Sequence, residues 1–369
     1  MRKNPLLYSF ITLLFILTLL DVASRDKGFS ELENRNLASK VKFTVEGFID
    51  GTFTSKYEEY INDQFIGRDL WIDLKSRSEY VFGKIENNHV IYGKDNFLFD
   101  KFQSIDEERL STNINALNYF IKNAETEGCD VSVMIVPSSY EVYKEKLPVG
   151  APLINQQKEI QNIYYSIDGG RKLDILSLFN ENKNKQLYYK TDHHWSINGA
   201  YLAYKEYIKK VGGVPINLSE LKENHVDDFY GTFFSKAKPF NGEPDILTYY
   251  DIPHIEMTIG EEKYNSLYDF SYLKGRDKYS IYLRGNNPLT IIKNNNLNNG
   301  KKLLVIKDSF ANSMVPFLTQ NYEEVQVVDL RAFMVKLSEY IKEEKFDNIL
   351  VLYNFMNFAK DSNLVKLKF

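Results

Sequence analysis

The chain has 369 residues, of which 43% are hydrophobic and 14% aromatic, enough for one large or two modest globular domains and unlike a disordered or collagen-like composition. Its formal net charge of −4, with acidic and basic residues intermixed, argues against a nucleic-acid-binding protein, which usually carries a basic excess or stripe. Cys129 is the single cysteine, which excludes an intrachain disulfide and a cysteine-built zinc site.

The N-terminus has the features of an export signal. Arg2 and Lys3 precede an apolar run from Leu6 to Leu20, which is shorter than the ~20 residues that span a bilayer comfortably. A signal peptidase site needs small residues at two positions, and Asp21 occupies one of them, two residues before Ala23. An uncleaved signal anchor over residues 1–24 is therefore favoured over a cleaved peptide. The positive-inside rule then places the rest of the chain outside the cell membrane, or in the medium if the signal is cleaved.

Residues 25–100 are predicted to form an N-terminal extracytoplasmic segment without a catalytic cluster. In YEEYINDQF (57–65) apolar or aromatic residues recur every four positions, and Leu70 and Leu74 repeat that spacing, which predicts two helices. The stretch YGKDN (92–96) predicts a hairpin turn between two short strands.

Residues 101–369 alternate buried apolar strands with amphipathic helices. This pattern predicts an α/β domain with a mostly parallel sheet flanked by helices. From about 214 to 300 the chain is rich in Tyr, Asn and Lys, which indicates an insertion of loops and short strands. Strands are predicted at 131–137, 172–179, 302–308, 323–330 and 348–354, and helices at 110–121, 196–213, 310–318 and 332–344.

The stretch VIKDSFANS places Ser309 where a predicted strand passes into a predicted helix. A serine there is exposed at the carboxyl edge of the sheet, where ligand sites collect. Its own backbone N–H and those just after it can stabilise an oxyanion, helped by the helix dipole. The ordinary alternative is a helix cap formed by Asp308 or Ser309.

The stretch KTDHHWSINGAY supplies a base for such a serine. A serine hydroxyl needs a base, and histidine serves best when a carboxylate fixes its tautomer. Asp192 and His194 are two residues apart, so in an extended segment they lie on the same side, and His194 Nε2 can face Ser309. His193 is interpreted as a surface or cap residue, and Ser196 as the N-cap of the following helix.

A metal site is the alternative for this cluster. A catalytic zinc needs three protein ligands, whereas His89, His225 and His254 lie in unrelated sequence contexts. The letters DHH also occur in a class of phosphoesterases, but these hold two metals with further aspartates in early strand-end motifs, and none precedes Asp192. No metal or cofactor is therefore expected.

The stretch YSIYLRGNNPLTII offers an oxyanion element at Gly285 and Asn286, between two apolar strand-like runs. A glycine permits close backbone approach, and an asparagine side chain can donate to an oxyanion. By itself, Gly-Asn-Asn is also typical of a hairpin turn. Both interpretations stay open at this point.

Three motifs, in this order along the chain, carry a family resemblance: TDHHW (191–195), Gly199-Ala200 and KDS (307–309). They resemble the DHHW-motif proteins of Gram-positive bacteria, relatives of the alginate O-acetylation proteins, whose signature is Thr-Asp-x-His-Trp with a later Asp-Ser. ENRNLA (33–38) and YINDQFIGRDLWI (60–72) also match the style of the family. The resemblance therefore spans most of the chain.

This resemblance implies an SGNH-hydrolase-like domain with a Ser-His-Asp triad. In that domain Asp192 would orient the base, His194 would be the base and Ser309 the nucleophile. Gly285 and Asn286 resemble the glycine–asparagine element of the family.

The resemblance also implies a function. The expected protein is an exported enzyme, a transferase or an esterase, that acts on O-acetyl groups of a cell-surface or exopolysaccharide, with a membrane-bound acyltransferase as a partner. One departure is Lys307, where the broader group often has glycine. The alternative is a non-catalytic polysaccharide-binding or assembly protein whose triad is vestigial.

Overall fold

The computed structural model describes residues 4–30, 35–239 and 241–369, and the chain folds into two compact units. The basic start of the predicted export signal (2–3) and the beginning of ENRNLA (33–34) lie outside the described residues.

The first unit, Met1–Lys84 with Ser235–Phe240, is mainly helical. The two helices predicted from the four-residue spacing are confirmed, at Thr52–Gln64 and Arg68–Val81. The elements of this unit are α1 (Pro5–Ala23), β1 (Phe29–Ser30), β2 (Arg35–Asn36), α2 (Val45–Ile49), α3 (Thr52–Gln64) and α4 (Arg68–Val81).

Helix α1 covers the apolar run of the predicted export signal. Most of its large side chains are exposed, from Leu6 at one end to Leu20 at the other. Asp21 accepts a hydrogen bond from the backbone N–H of Ile66, in the turn before α4, at 3.0 Å. Across the part of the chain that the structure describes, no helix has both the length and the apolarity to cross a membrane. The signal-anchor role of this segment stays a prediction.

The second unit, Ile85–Phe234 with Asn241–Phe369, is α/β. Its strands are β3 (Glu86–Asn87), β4 (Val90–Tyr92), β5 (Leu98–Asp100), β6 (Asp130–Val136), β7 (Arg171–Leu173), β8 (Glu223–Phe229), β9 (Asp245–Tyr250), β10 (Ile255–Ile259), β11 (Glu262–Tyr264), β12 (Leu289–Asn294), β13 (Lys302–Lys307), β14 (Glu324–Val328) and β15 (Asn348–Asn354). Its α-helices are α5 (Glu107–Thr126), α6 (Ser139–Val142), α7 (Gln156–Ser166), α8 (Ile175–Glu181), α9 (Ile197–Lys210), α10 (Thr232–Ala237, which runs on into the first unit), α11 (Val315–Leu318), α12 (Leu337–Glu344) and α13 (Phe355–Lys360).

An eight-stranded sheet forms the centre of this unit, in the order β11-β10-β12-β14-β13-β15-β6-β7. The strands from β14 to β7 pair in parallel. Strands β12, β10 and β11 extend the sheet from β14 by antiparallel pairing. Strands β13, β15 and β6 are buried over nearly their whole length, as expected of parallel strands covered on both faces. The predicted α/β class is confirmed.

The structure corrects the predicted strand at 172–179. Only the short β7 lies at its start, and α8 occupies the rest. The Asp174 side chain accepts a hydrogen bond from the backbone N–H of Ser177, which is the N-cap that begins this helix. The sequence prediction followed the apolar residues of this stretch and passed over Asp174 and Ser177, which form the cap.

The region predicted as an insertion contributes strands to the main sheet. Strands β10, β11 and β12 lie within 214–300 and join its antiparallel edge, whereas β8 and β9 pair with each other. The first of the two strand-like runs around Gly285 is a 3-10 helix, Lys278–Ile281, and only the second is a strand. The hairpin predicted at 92–96 is formed by β4 and β5, but it belongs to the second unit.

Candidate active site

Ser309 lies just beyond β13, with only Asp308 between them, at the carboxyl edge of the parallel strands. Its Oγ lies 2.8 Å from Nε2 of His194, and Nδ1 of the same ring lies 2.6 Å from Oδ1 of Asp192. An ionised carboxylate only accepts hydrogen bonds, so Nδ1 donates to Asp192 and Nε2 accepts from the Ser309 hydroxyl. The structure thus brings the three predicted side chains together, with the ring in the tautomer that can take the serine proton.

The Asp192 carboxylate is 1% exposed and saturated with donors. Oδ1 also accepts the His194 backbone N–H at 2.9 Å, and Oδ2 accepts the backbone N–H and the hydroxyl of Thr232 at 2.7 and 3.0 Å. Burial alone would raise the pKa of Asp192, but the rings of His193 and His194 and these hydrogen bonds outweigh it and hold the pKa well below its usual range. The carboxylate is therefore ionised at neutral pH.

The loop that carries Asp192 and His194 is closed by its own backbone and by a second aspartate. The Ser196 N–H donates to the Leu187 carbonyl at 2.8 Å. Asp245 accepts from the backbone N–H and the hydroxyl of Thr191 at 2.8 and 2.6 Å. Ser196 occupies the N-cap position of α9, as predicted, but its side chain makes no capping bond. The hydroxyl instead donates to the Gln186 carbonyl at 2.6 Å, which holds the loop in place.

Trp195 ties this loop to the serine turn. Its indole Nε1–H donates to the Phe310 carbonyl at 2.8 Å and lies 2.9 Å from Ser313 Oγ, and the side chain is buried. The base and the serine come from segments more than a hundred residues apart, so this bond fixes the distance between them. It gives a physical reason for a tryptophan directly after His194.

Two rings lie against the imidazole of His194. The Tyr279 ring is stacked on it at 3.6 Å between centroids, and the His193 ring lies at 3.8 Å, tilted by 37°. The electron-rich face of a tyrosine favours a cation, so Tyr279 is placed to stabilise an imidazolium if His194 takes a proton. Sequence reasoning missed Tyr279, although it opens the stretch that holds Gly285.

Within the described part of the chain the hydrogen bond to Ser309 is made by His194 and not by His193, but His193 is more than a surface residue. Its Nδ1 lies 2.6 Å from the hydroxyl of Thr232. That hydroxyl gives its one proton to Asp192, so it accepts from His193. His193 therefore orients Thr232, which in turn holds the carboxylate. Thr232 lies forty residues away in sequence and was not predicted.

The turn after Ser309 differs from the predicted long helix. A 3-10 helix, Ser309–Ser313, is followed by the four-residue α11, too short for an appreciable dipole. The Phe310 N–H donates to the Asp308 carboxylate at 2.9 Å and the Ala311 N–H to the Asp308 carbonyl at 3.3 Å. Among the described residues the N–H of Ser309 has no such partner, so it is able to donate to an oxyanion.

The Gly285 turn is held in a left-handed conformation. Leu283, Arg284 and Gly285 have φ of 53°, 57° and 87° in succession. Such values are costly for the two non-glycine residues and persist only when the surroundings enforce them. The Gly285 N–H donates to the Tyr282 carbonyl at 3.1 Å, so Gly285 shapes the turn and does not donate to a ligand.

This turn presents Asn286 on an exposed position. Its Oδ1 accepts from Lys307 Nζ at 2.6 Å and from Asn312 Nδ2 at 3.1 Å, and Asn312 also reaches the Gly285 carbonyl at 3.4 Å. Asn312 lies three residues after Ser309, so the predicted glycine–asparagine element and the serine turn are bonded to each other. Lys307 and Asn312 were not predicted as site residues.

Asp192, His193 and His194 also form a group that could hold a metal, with one ligand atom from each within 4.8 Å of the others. Three such ligands suit a catalytic zinc. In this structure both Nδ1 atoms and both carboxylate oxygens are engaged in hydrogen bonds, which a metal would have to replace. His89, His225 and His254 do not join the group within the described residues.

The fold and these contacts define an α/β protein with a serine–histidine–aspartate arrangement at the carboxyl edge of its parallel strands. The family model described as DHHW protein matches residues 92–328, and the chain belongs to this family. The resemblance seen in the three motifs is thereby confirmed.

A curated relative is described as probable alginate O-acetylase AlgJ of Pseudomonas fluorescens. It is 22% identical over 182 residues, which are 46% of this chain and 45% of the relative. The chain thus spans about half the length of that relative.

Solved structures show the same fold. A DHHW family protein from Eubacterium siraeum is 24% identical, with a TM-score of 0.63 over 77% of this chain and 96% of the other. Bacillus cereus PatB1 with a sulfonyl adduct is 20% identical, with a TM-score of 0.64 over 76% of this chain and 98% of the other.

Proposed function

We propose that this protein is a serine-dependent acyl transfer enzyme that adds or removes O-acetyl groups on a cell-surface or exopolysaccharide. The observation that carries the proposal is the unbroken hydrogen-bond chain from Asp192 through His194 to Ser309, with distances of 2.6 and 2.8 Å. Similarity to a probable alginate O-acetylase supports the choice of acetyl and polysaccharide.

In the first half-reaction Ser309 Oγ attacks the carbonyl carbon of an acetyl ester while its proton passes to His194 Nε2. The charge on the carbonyl oxygen is met by the Ser309 N–H and by the Asn286 amide. His194, held by Asp192 and stacked on Tyr279, then returns the proton to the leaving oxygen. The acetyl group stays on Ser309 as an ester.

In the second half-reaction His194 takes a proton from the acceptor, and the acceptor oxygen attacks the acetyl carbonyl carbon. The ester bond to Ser309 then breaks, and His194 returns the proton to Ser309 Oγ. A sugar hydroxyl as acceptor gives a transferase, whereas water gives an esterase. The two outcomes share the same residues and differ in acceptor binding and water exclusion. We favour the transferase, supplied with acetyl groups by a membrane-bound acyltransferase.

The site of action that we propose is the outer side of the cell membrane, with α1 as the anchor. The apolar side chains of α1 are exposed, which suits contact with lipid. Arg2 and Lys3 before the run favour a cytoplasmic N-terminus and an exported body.

A fluorophosphonate probe tests for an activated serine. Purified protein should be labelled, and Ser309→Ala should abolish the labelling. Ser338→Ala, which removes an exposed serine of α12, is the matched control and should keep it. Equal labelling of folded Ser309→Ala and the wild type would contradict the proposal and favour the alternative, a non-catalytic polysaccharide-binding protein.

Turnover of a chromogenic acetyl ester assigns the roles. Ser309→Ala and His194→Ala should each remove nearly all activity, because triad members act as a unit. Asp192→Asn should be severe but milder, because the imidazole would then hold the wrong tautomer.

A further inference from the structure

A buried lysine stands beside the candidate oxyanion donor. Lys307 ends β13, two residues before Ser309, and is 2% exposed. Its Nζ lies 2.6 Å from Asn286 Oδ1 and 3.8 Å from Asp329 Oδ2. Burying an ammonium is costly unless it is paired and hydrogen-bonded, so this arrangement constrains both partners.

The ammonium decides which way the Asn286 amide faces. A protonated lysine can only donate, so the atom next to it must be the carbonyl oxygen of the amide. Asn312 donates to the same oxygen at 3.1 Å. Nδ2 of Asn286 is therefore directed away from both donors, and it has no hydrogen-bond partner among the described residues.

The same contact strengthens the donor. A cation on the amide oxygen draws electron density from the nitrogen, which makes the N–H groups of Asn286 better donors. In the buried surroundings of Lys307 its charge is poorly screened and also favours a negative oxygen close by. A glycine in place of Lys307 could do neither.

We propose that Lys307 is a positioning residue for acyl transfer, which fixes and polarises the Asn286 side chain as an oxyanion donor. This inference rests on the proposed function, because it requires an oxyanion formed by attack of Ser309. Lys307 acts through Asn286 and does not touch the substrate.

The charged groups that face Lys307 are Asp329 and Arg331, after β14, and Asp308 beside it. Arg331 binds the Asp329 carboxylate at 2.8 and 2.5 Å, so Lys307 shares its counter-charge. Burial lowers the pKa of Lys307 to about 8, with Arg331 adding to the shift and Asp329 and Asp308 opposing it. Below this pH Lys307 is charged, and above it the polarising charge is lost.

The test is the pH profile of kcat for a chromogenic acetyl ester, measured on the full-length protein. The wild type should lose activity as the pH rises through about 8. Lys307→Met should lower kcat about 10-fold or more with little change in KM. The fall in kcat at high pH, the alkaline limb of the profile, should then disappear. A merely structural role would not remove that limb.

Two further variants move the limb without touching Asn286. Arg331→Met, at a side chain that is 46% exposed, leaves Asp329 to Lys307 alone and should shift the limb to higher pH. Asp329→Asn removes the counter-charge and should shift it to lower pH. If neither variant moves the limb, the inference is wrong even if Lys307→Met does not fold.

A double-mutant comparison separates this inference from the proposed function. In an Asn286→Ala background, Lys307→Met should cost much less than it does alone, because the two act as one unit. If the losses in kcat from the two substitutions were additive, the inference about Lys307 would be wrong, but the proposed reaction at Ser309 would be unaffected. A wild type without Ser309-dependent turnover would overturn both.

Discussion

At the scale of single residues, the surroundings of His194 bear directly on its proposed role as a base. Tyr279 is stacked on the ring, and its hydroxyl lies 3.3 Å from the Ser309 carbonyl and 3.0 Å from Ser313 Oγ. Burial raises the pKa of Tyr279 well above its usual value, so the ring stays neutral. Its contribution can be divided between the aromatic face and the hydroxyl.

Replacing Tyr279 tests that division. Tyr279→Leu removes the aromatic face and should lower kcat about 10-fold, the effect of losing a cation–aromatic contact of about 1–2 kcal/mol. Tyr279→Phe keeps the face and should lose less. Steady-state turnover of an acetyl ester measures both. Equal losses in the two variants would assign the effect to the hydroxyl and contradict the account.

The sequence predicted the central residues of the site but not their supports. Asp192 and His194 are close in sequence, and Ser309 directly follows the strand predicted at 302–308. The sequence pattern alone therefore identifies all three residues. Thr232 and Tyr279 reach the site only through the fold, from segments without a motif of their own. Their side chains are ordinary ones whose role depends on tertiary contacts.

At the scale of elements, the connection from β8 to α10 packs closely against Asp192. The Gly231 N–H donates to the Thr191 hydroxyl at 3.0 Å, and Thr232 follows with its two bonds to the carboxylate. A Cβ on Gly231 would lie 2.2 Å from Asp192 Cβ and 2.5 Å from Asp192 Oδ2. Only glycine permits this approach.

Gly231→Ala should therefore push the connection away from Asp192 and weaken the Thr232 bonds. We expect kcat to fall about 10-fold or more, by misplacement of the base, and the melting temperature to fall as well. Gly275→Ala is the matched control, because a Cβ there meets only the Tyr272 carbonyl at 3.8 Å. Unchanged turnover in Gly231→Ala would mean that this packing does not hold the base.

The elements that the sequence predicted best are those with one dominant signal. Strands β6, β13 and β15 are mostly apolar, and α5 has a clear helical stripe of apolar residues. The strand predicted at 172–179 was wrong because the N-cap at Asp174 begins a helix there in spite of the apolar residues. The long helix predicted at 310–318 does not form as such, because Asp308 accepts hydrogen bonds from the first N–H groups and tightens the turn into a 3-10 helix.

At the scale of the whole molecule, the candidate site lies within the second unit, whereas α1 belongs to the first. Deleting residues 1–24 should therefore move the protein from the membrane fraction to the soluble fraction and leave ester turnover nearly unchanged. Cell fractionation with an assay of each fraction measures this. Full-length protein found in the soluble fraction with α1 still attached would contradict the anchor.

The central claim is that Ser309 carries the acetyl group during turnover. Protein mixed with an acetyl ester, quenched in acid and digested, can be mapped by mass spectrometry. The account predicts one added acetyl group on the peptide that contains Ser309. It also predicts that the adduct forms far more slowly in His194→Ala and is absent in Ser309→Ala. Rapid turnover by the wild type with no acetyl group on Ser309 at any quench time would contradict it.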